Sequence, residues 1–202
     1  MAAQAIGDTV EELPFDAELA LRLHRRDPVR YPLLLESAAS GTEQGRFDIL
    51  FAAPGERLVL DAGGRLSGPG ASAGHDFLTA LNGWWQHERV EPAARDLPFR
   101  GGWFLYLGYE LAGQVESTLT LHRPRGLPIA AAVRVRCALI LDRAEARAWV
   151  VAEDGADEVR RRVLADVAAV DPSVPWRRVA PLLADTGSEE PAARELEGVR
   201  RT

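Results

Sequence analysis

The chain has 202 residues and a formal net charge of −6, and all 24 of its basic residues are arginine. Without lysine there is no Schiff-base, lysine-nucleophile or P-loop chemistry, and the acidic balance argues against a nucleic-acid partner, which needs a basic surface. A single cysteine, Cys137, excludes an intrachain disulfide and a multi-cysteine metal site. No apolar run approaches the ~20 residues that span a bilayer, and the first residues lack a basic n-region and an apolar h-region. The expectation is a cytoplasmic protein with no membrane partner, long enough for one domain with its own core.

Residues 1–15 read as a flexible, polar lead-in. From Asp16 the spacing of Leu19 and Leu23 predicts a short helix, with Asp16 as N-cap and Pro28 beyond its end. Strands follow near 31–36 and 46–53, with a turn at Ser40-Gly41 between them, and another at 57–60 with a return strand after Asp61–Gly64. A Gly/Ser/Pro-rich loop over 67–74 leads to a helix from Asp76 to His87 carrying Phe77, Leu81, Trp84 and Trp85, although Gly83 weakens it by ~1 kcal/mol relative to alanine.

The segment Leu97 to Glu110 is an apolar, aromatic strand entered at Pro98 and Gly101-Gly102 and left at Gly108, with a short helix from Tyr109 to about Glu116. Ala130 to Asp142 alternates Val133, Val135, Cys137, Leu139 and Leu141 with Arg134, Arg136, Ala138, Ile140 and Asp142. That period of two predicts one strand with one buried face, its arginines directed to solvent or to another domain. A turn at 142–145 returns the chain as a strand over 146–152. A helix starting at Asp157 then places Val159, Val163, Leu164 and Val167 inward and Arg160–Arg162 on a solvated face. From 172 to 202 the pattern decays into a linker or tail, which leaves residues 16–171 as the domain.

Little in these residues is catalytic. Glu36 and Asp48 are carboxylates at no diagnostic spacing for acid–base work. The histidines His24, His75, His87 and His122 are scattered, so no metal site is expected. Cys137 reads as a small buried hydrophobe, and a helical Trp84-Trp85 pair as core or interface.

The residue order from Pro98 to Glu110 resembles the Pro-Phe-x-Gly-Gly-x-x-Gly-Tyr-x-Gly-Tyr-Glu/Asp segment of chorismate-utilising synthases, the large subunits of aminodeoxychorismate synthase and anthranilate synthase. Its conserved frame falls on Pro98, Phe99, Gly101, Gly102, Gly108, Tyr109 and Glu110, and Leu105 stands where the family usually has glycine. The stretches Tyr31–Ser37 and Gly45–Pro54 are similar to the first hairpin of the same family, in the same order. The wording around Arg46–Ile49 and Asp96–Gly102 leans toward the aminodeoxychorismate branch.

The resemblance implies an α+β fold of antiparallel sheets packed orthogonally with helices outside, and a role as the N-terminal, non-catalytic part of the enzyme. By the same resemblance, Ser37, Gln44, Gly45, Arg46 and Phe47 would line a tryptophan pocket; read as residues alone, Ser37 ends a strand and Arg46 forms an ion pair. The family's catalytic half, with its Mg²⁺, its chorismate site and its Pro-Ile-Lys-Gly-Thr segment, has no counterpart here, so no cofactor and no activity are expected of this chain alone. The implied partners are that chorismate-binding half and a glutamine amidotransferase subunit. The alternatives are the feedback domain of anthranilate synthase component I and a stand-alone amino-acid-binding module. An exposed apolar patch is expected where the second half would sit.

Overall fold

A computed structural model describes residues 9–36, 45–72, 76–89, 97–116, 118–119, 121 and 126–173. In chain order its strands and helices are β1 (Thr9–Leu13), α1 (Leu19–Arg26), β2 (Leu33–Leu35), β3 (Phe47–Ala52), β4 (Arg57–Leu60), β5 (Leu66–Ser67), α2 (Phe77–Glu88), β6 (Gly102–Leu107), α3 (Ala112–Val115), β7 (Ala130–Val135), β8 (Cys137–Asp142), β9 (Arg147–Ala152) and α4 (Asp157–Ala168). A 3₁₀ turn over Tyr109–Leu111 leads into α3. The strands form two sheets, β1-β9-β8-β3-β2 and β5-β4-β7-β6, and every pairing between them is antiparallel. This is the α+β class that the resemblance implied, with the antiparallel pairing the hairpins suggested.

The five-stranded sheet uses its period of two to make two different faces. Leu50, Ala52, Cys137, Leu139, Leu141, Ala148 and Val150 pack under Leu19, Ala20 and Leu23 of α1 and Val163 of α4. On the opposite face Phe51 and Ala138 meet Phe99 and Phe104, with Phe51 edge-on to both rings at centroid distances of 5.0 and 5.6 Å. Phe104 belongs to β6, so this aromatic cluster joins the two sheets. The outer face of the four-stranded sheet is closed by α2, through Phe77, Ala80 and Trp84 against Leu58, Leu60 and Ala132. Asp76 caps that helix by accepting from the Thr79 amide at 2.7 Å.

Four expectations need correction. Thr9–Leu13, placed in the lead-in, is the edge strand β1. Its sequence Thr-Val-Glu-Glu-Leu hides the alternation because charge pairs hold it: Glu11 to Arg160 and Glu12 to Arg147. Arg160 is therefore turned toward β1, while Arg161 and Arg162 pair with Glu158 on the exposed face as expected. The run from Ala130 to Asp142 is two strands in different sheets, with Arg136 as the single residue between them. Arg134, expected at the surface, is buried.

Under α4 a polar contact ties the end of α1 to the far end of the chain. The fully buried Tyr31 hydroxyl donates to Asp166 at 2.7 Å, and Arg30 pairs with the same carboxylate at 2.5 Å. His24 Nδ1 donates to the Tyr31 carbonyl at 2.6 Å. Burial pushes the Tyr31 phenol up, reinforced by its bond to Asp166. For Asp166, burial acts upward but is outweighed by Tyr31 and Arg30, which hold the carboxyl below the usual range. A raised phenol stabilises the fold below its unfolded value of ~10 and loses that contribution as pH rises; a lowered carboxylate stabilises above ~3.9 and loses it as pH falls. Urea unfolding at a series of pH values should show stability declining on both sides of a neutral plateau. Tyr31→Phe should flatten the alkaline limb while lowering the plateau by about 1–2 kcal/mol. An unchanged alkaline limb would mean that other groups cause it.

Candidate functional site

The hairpin joining β8 to β9 and the start of β3 build a cleft of about 380 Å³ on the face of the five-stranded sheet away from α1 and α4, lined by Val10, Arg46, Phe47, Leu97, Asp142, Glu145, Arg147 and Trp149. Phe47 and Trp149 reach this face by strand alternation, with Ile140 and Val151 buried beside them. Asp142 ends β8 fully buried and anchors the turn: its Oδ1 accepts from the amides of Ala144 and Glu145 at 3.0 and 3.1 Å. Its Oδ2 accepts from Arg46 Nε and Nη2 at 2.9 and 2.7 Å. Burial acts to raise the Asp142 carboxyl, but Arg46 and the two amides outweigh it and hold it low, so it is ionised at neutral pH.

Two guanidiniums stack on the aromatic walls, Arg46 over Phe47 at 4.8 Å and Arg147 over Trp149 at 4.7 Å. Glu145, half-exposed, touches both: 2.8 Å from Arg46 and 3.7 Å from Arg147. The cleft therefore carries two oriented cations, a buried carboxylate, a half-exposed one and an apolar floor. Such a set suits a small ligand that has a carboxylate, an ammonium and a flat apolar body.

Of the pocket residues expected from sequence, Arg46 and Phe47 line this cleft, with Gly45 immediately before them and buried. Ser37 and Gln44 lie outside the described residues. Arg46 also makes the ion pair that the simpler reading gave it. Sequence reasoning missed Asp142, Glu145, Arg147 and Trp149. The available signal was parity, since Arg147 and Trp149 share the outward face of β9. Glu36 and Asp48 both bind Arg143, at 3.1 and 2.6 Å, and so act as ion-pair partners. Burial raises the Cys137 thiol to about 12, which keeps it protonated and unreactive. Among the described residues no group of three His, Cys, Asp or Glu side chains is placed to hold a metal. No helix among them is long and apolar enough to cross a membrane.

The segment Leu97–Glu110 lies elsewhere, at the junction of the sheets. Arg134 grips Glu153 through two parallel bonds of 2.8 and 2.7 Å, reaches Glu88 of α2 at 2.8 Å and donates to the Gly102 carbonyl at 3.0 Å. Its guanidinium lies 4.5 Å over the Trp103 ring, and Trp84 donates to Glu88 at 2.8 Å. Burial would lower the Arg134 pKa, but Glu153 and Glu88 raise it further. Gly101 has φ +110°, and a Cβ there would fall 2.0 Å from Glu153 Oε1. Gly108 has an ordinary φ, yet its Cβ would stand 2.8 Å from the Ile129 carbonyl oxygen, to which its own amide donates. Phe99 fills the inter-sheet cluster, Pro98 precedes it at the surface, Glu110 sits in the 3₁₀ turn, and Tyr109 is 83% exposed. Gly101 thus makes room for the buried ion cluster and Gly108 for one close backbone pass.

No protein-family model matches the sequence, and no curated protein sequence matches it. Among solved structures, anthranilate synthase component I from Streptococcus pneumoniae TIGR4 is similar, with a TM-score of 0.51 and 19% identity over 69% of this chain. The match covers 32% of that protein, so the chain spans about a third of its length. At this identity the likeness is one of fold: the chain folds as part of anthranilate synthase component I does.

Proposed function

We propose that this chain is a non-catalytic supporting domain of a chorismate-utilising synthase, in the aminodeoxychorismate branch. The observation that carries it is the fold likeness to one third of a chorismate-family enzyme, joined to the family-like segment Leu97–Glu110 at the sheet junction. In this reading chorismate and Mg²⁺ belong to a catalytic half outside these residues, where the ion would aid departure of the C4 hydroxyl. A glutamine amidotransferase subunit would supply ammonia. Leu107, Tyr109, Val115, Leu119 and Leu127 are exposed and would offer apolar area to such a half.

The test begins with the mass of the native gene product, by immunoblot, followed by its incubation with chorismate, ammonium and Mg²⁺. A product more than twice the 22.0 kDa of this chain that forms 4-amino-4-deoxychorismate supports the reading, and the 202 residues alone should leave chorismate unchanged. Formation of anthranilate would move the chain to the other branch. A native mass of 22.0 kDa with no turnover would leave the stand-alone binding module.

The cleft favours a second, compatible reading, that the domain binds tryptophan. The ligand carboxylate would displace Glu145 from Arg46 and Arg147, and the indole would lie among Phe47, Leu97 and Trp149. Calorimetric titration of the isolated chain should give heat that Arg46→Ala and Trp149→Ala abolish. No heat at millimolar tryptophan, or binding that survives both changes, would sink this second reading.

A further inference from the structure

One strand belongs both to the cleft and to the least buried part of its sheet. β1 is the outer strand of the five-stranded sheet and none of its five side chains is buried, whereas every residue of β8 is, and five of the six in β9. Alternation gives β1 two working faces. Glu11 and Leu13 turn to the helix side, where Glu11 meets Arg160 of α4 at 2.8 Å and Leu13 packs on the core under the helices. Val10 and Glu12, opposite Val151 and Trp149, turn to the other side, where Val10 lines the cleft. Both Glu12 oxygens accept parallel bonds from Arg147, Nε at 2.9 Å and Nη2 at 3.0 Å. That fork occupies Nε and Nη2, so Nη1 is left toward Glu145 at 3.7 Å, while the guanidinium lies 4.7 Å over Trp149.

We propose that β1 is a releasable strap on the cleft. It undocks from β9 as a unit while the rest of the sheet stays folded, and when docked it supplies the Val10 wall and fixes Arg147 through Glu12. Segments open locally where few apolar contacts and solvent-exposed hydrogen bonds hold them. β1 is attached by one ladder, two half-buried apolar side chains and two ion pairs whose carboxylates are exposed, a kind that contributes little by itself. Release takes Val10 out of the cleft and unpins Arg147. A ligand that needs both binds the docked form better, and it must favour docking by the same factor by which docking raises its affinity. Glu12 is thus a positioning residue that acts on the cleft through Arg147. The strap itself does not depend on what the cleft binds; its coupling to tryptophan rests on the second reading above.

Hydrogen exchange of the intact chain, followed by NMR, tests this. The β1 amides bonded to β9 should exchange about tenfold faster than those between β8 and β3, at a rate insensitive to sub-denaturing urea. Glu12→Gln should speed β1 exchange several-fold further, leave β3 and β8 unchanged, and move the Trp149 indole N–H resonance as Arg147 leaves the ring. The charge swap Glu12→Arg with Arg147→Glu should return β1 exchange toward wild type, which shows that the pair holds the strand. β1 amides as slow as those of β8 overturn the proposal, and so does a Glu12→Gln variant in which either β1 exchange or the Trp149 resonance is unchanged. Adding L-tryptophan separates the two readings. Heat of binding with slower β1 exchange supports the coupling, and heat with unchanged exchange overturns it. No heat removes the tryptophan reading, and the strap is then decided by the exchange rates and Glu12→Gln.

Discussion

Replacing Arg134 with methionine is expected to lower the unfolding free energy by about 3–5 kcal/mol, the usual consequence of removing one partner from a buried ion pair. The reason lies in what stays behind. Glu153 is 8% exposed and has Arg134 as its closest cation, with Arg136 3.9 Å away. Glu88 is held below the usual carboxylate range against burial by Arg134, Trp84 and Arg136, and it would keep only the last two. Methionine preserves most of the volume over Trp103, so lost packing contributes little. The measurement is urea unfolding at pH 7 followed by tryptophan fluorescence, which Trp84 and Trp103, edge-on at 5.5 Å, should report directly. In the double variant Arg134→Met with Glu153→Leu the loss should be smaller than in Arg134→Met alone, because no unpaired charge remains. A single variant within 1 kcal/mol of wild type would show that this cluster does not hold the sheets together.

Gly101→Ala is expected to cost about 2–6 kcal/mol, from two separable sources. A non-glycine residue at φ +110° is strained by about 1–3 kcal/mol. The added methyl also falls among the Glu153 carboxylate atoms, and relieving such overpacking typically costs about 1–3 kcal/mol. The second source depends on Glu153 and the first does not. Gly101→Ala should therefore be less damaging when introduced into an Arg134→Met/Glu153→Ala background than into wild type, and the difference measures the steric part. Equal losses in both backgrounds would assign the whole effect to the backbone. Because Gly101 opens the strand that supplies Phe104 to the inter-sheet cluster, the same substitution should also lower hydrogen-exchange protection in β6.

Some of the molecule was readable before any coordinates, for identifiable reasons. Alternation put Cys137, Leu139 and Leu141 on one face, and they are together under the helices, whereas Val133 and Val135, read onto the same face, belong to the other sheet. Apolar spacing and the Asp76 cap announced α2, and Leu19 with Leu23 announced α1. Of the cleft residues, the resemblance pointed to Arg46 and Phe47, whereas Asp142, Arg147 and Trp149 join them only because β3 pairs with β8 and β8 with β9. Leu105, Leu107, Tyr109, Val115, Leu119 and Leu127 are exposed, which sequence alone did not locate.

The sequence by itself determined local things: where extended and helical segments lie, which residues alternate inward, which glycines punctuate Leu97–Glu110, and which chemistries a lysine-free, single-cysteine chain excludes. Tertiary structure decided everything that depends on distant partners. A period of two states that Arg134 and Cys137 face opposite ways, but it does not tell that the chain changes sheets at Arg136. A charged residue reads as solvent-facing unless its partners are known, and those of Arg134 lie 46 residues before it and 19 after it. Burying that charge became tolerable only when the fold assembled two carboxylates, two carbonyls and an indole around it, at a point where Gly101 left the space.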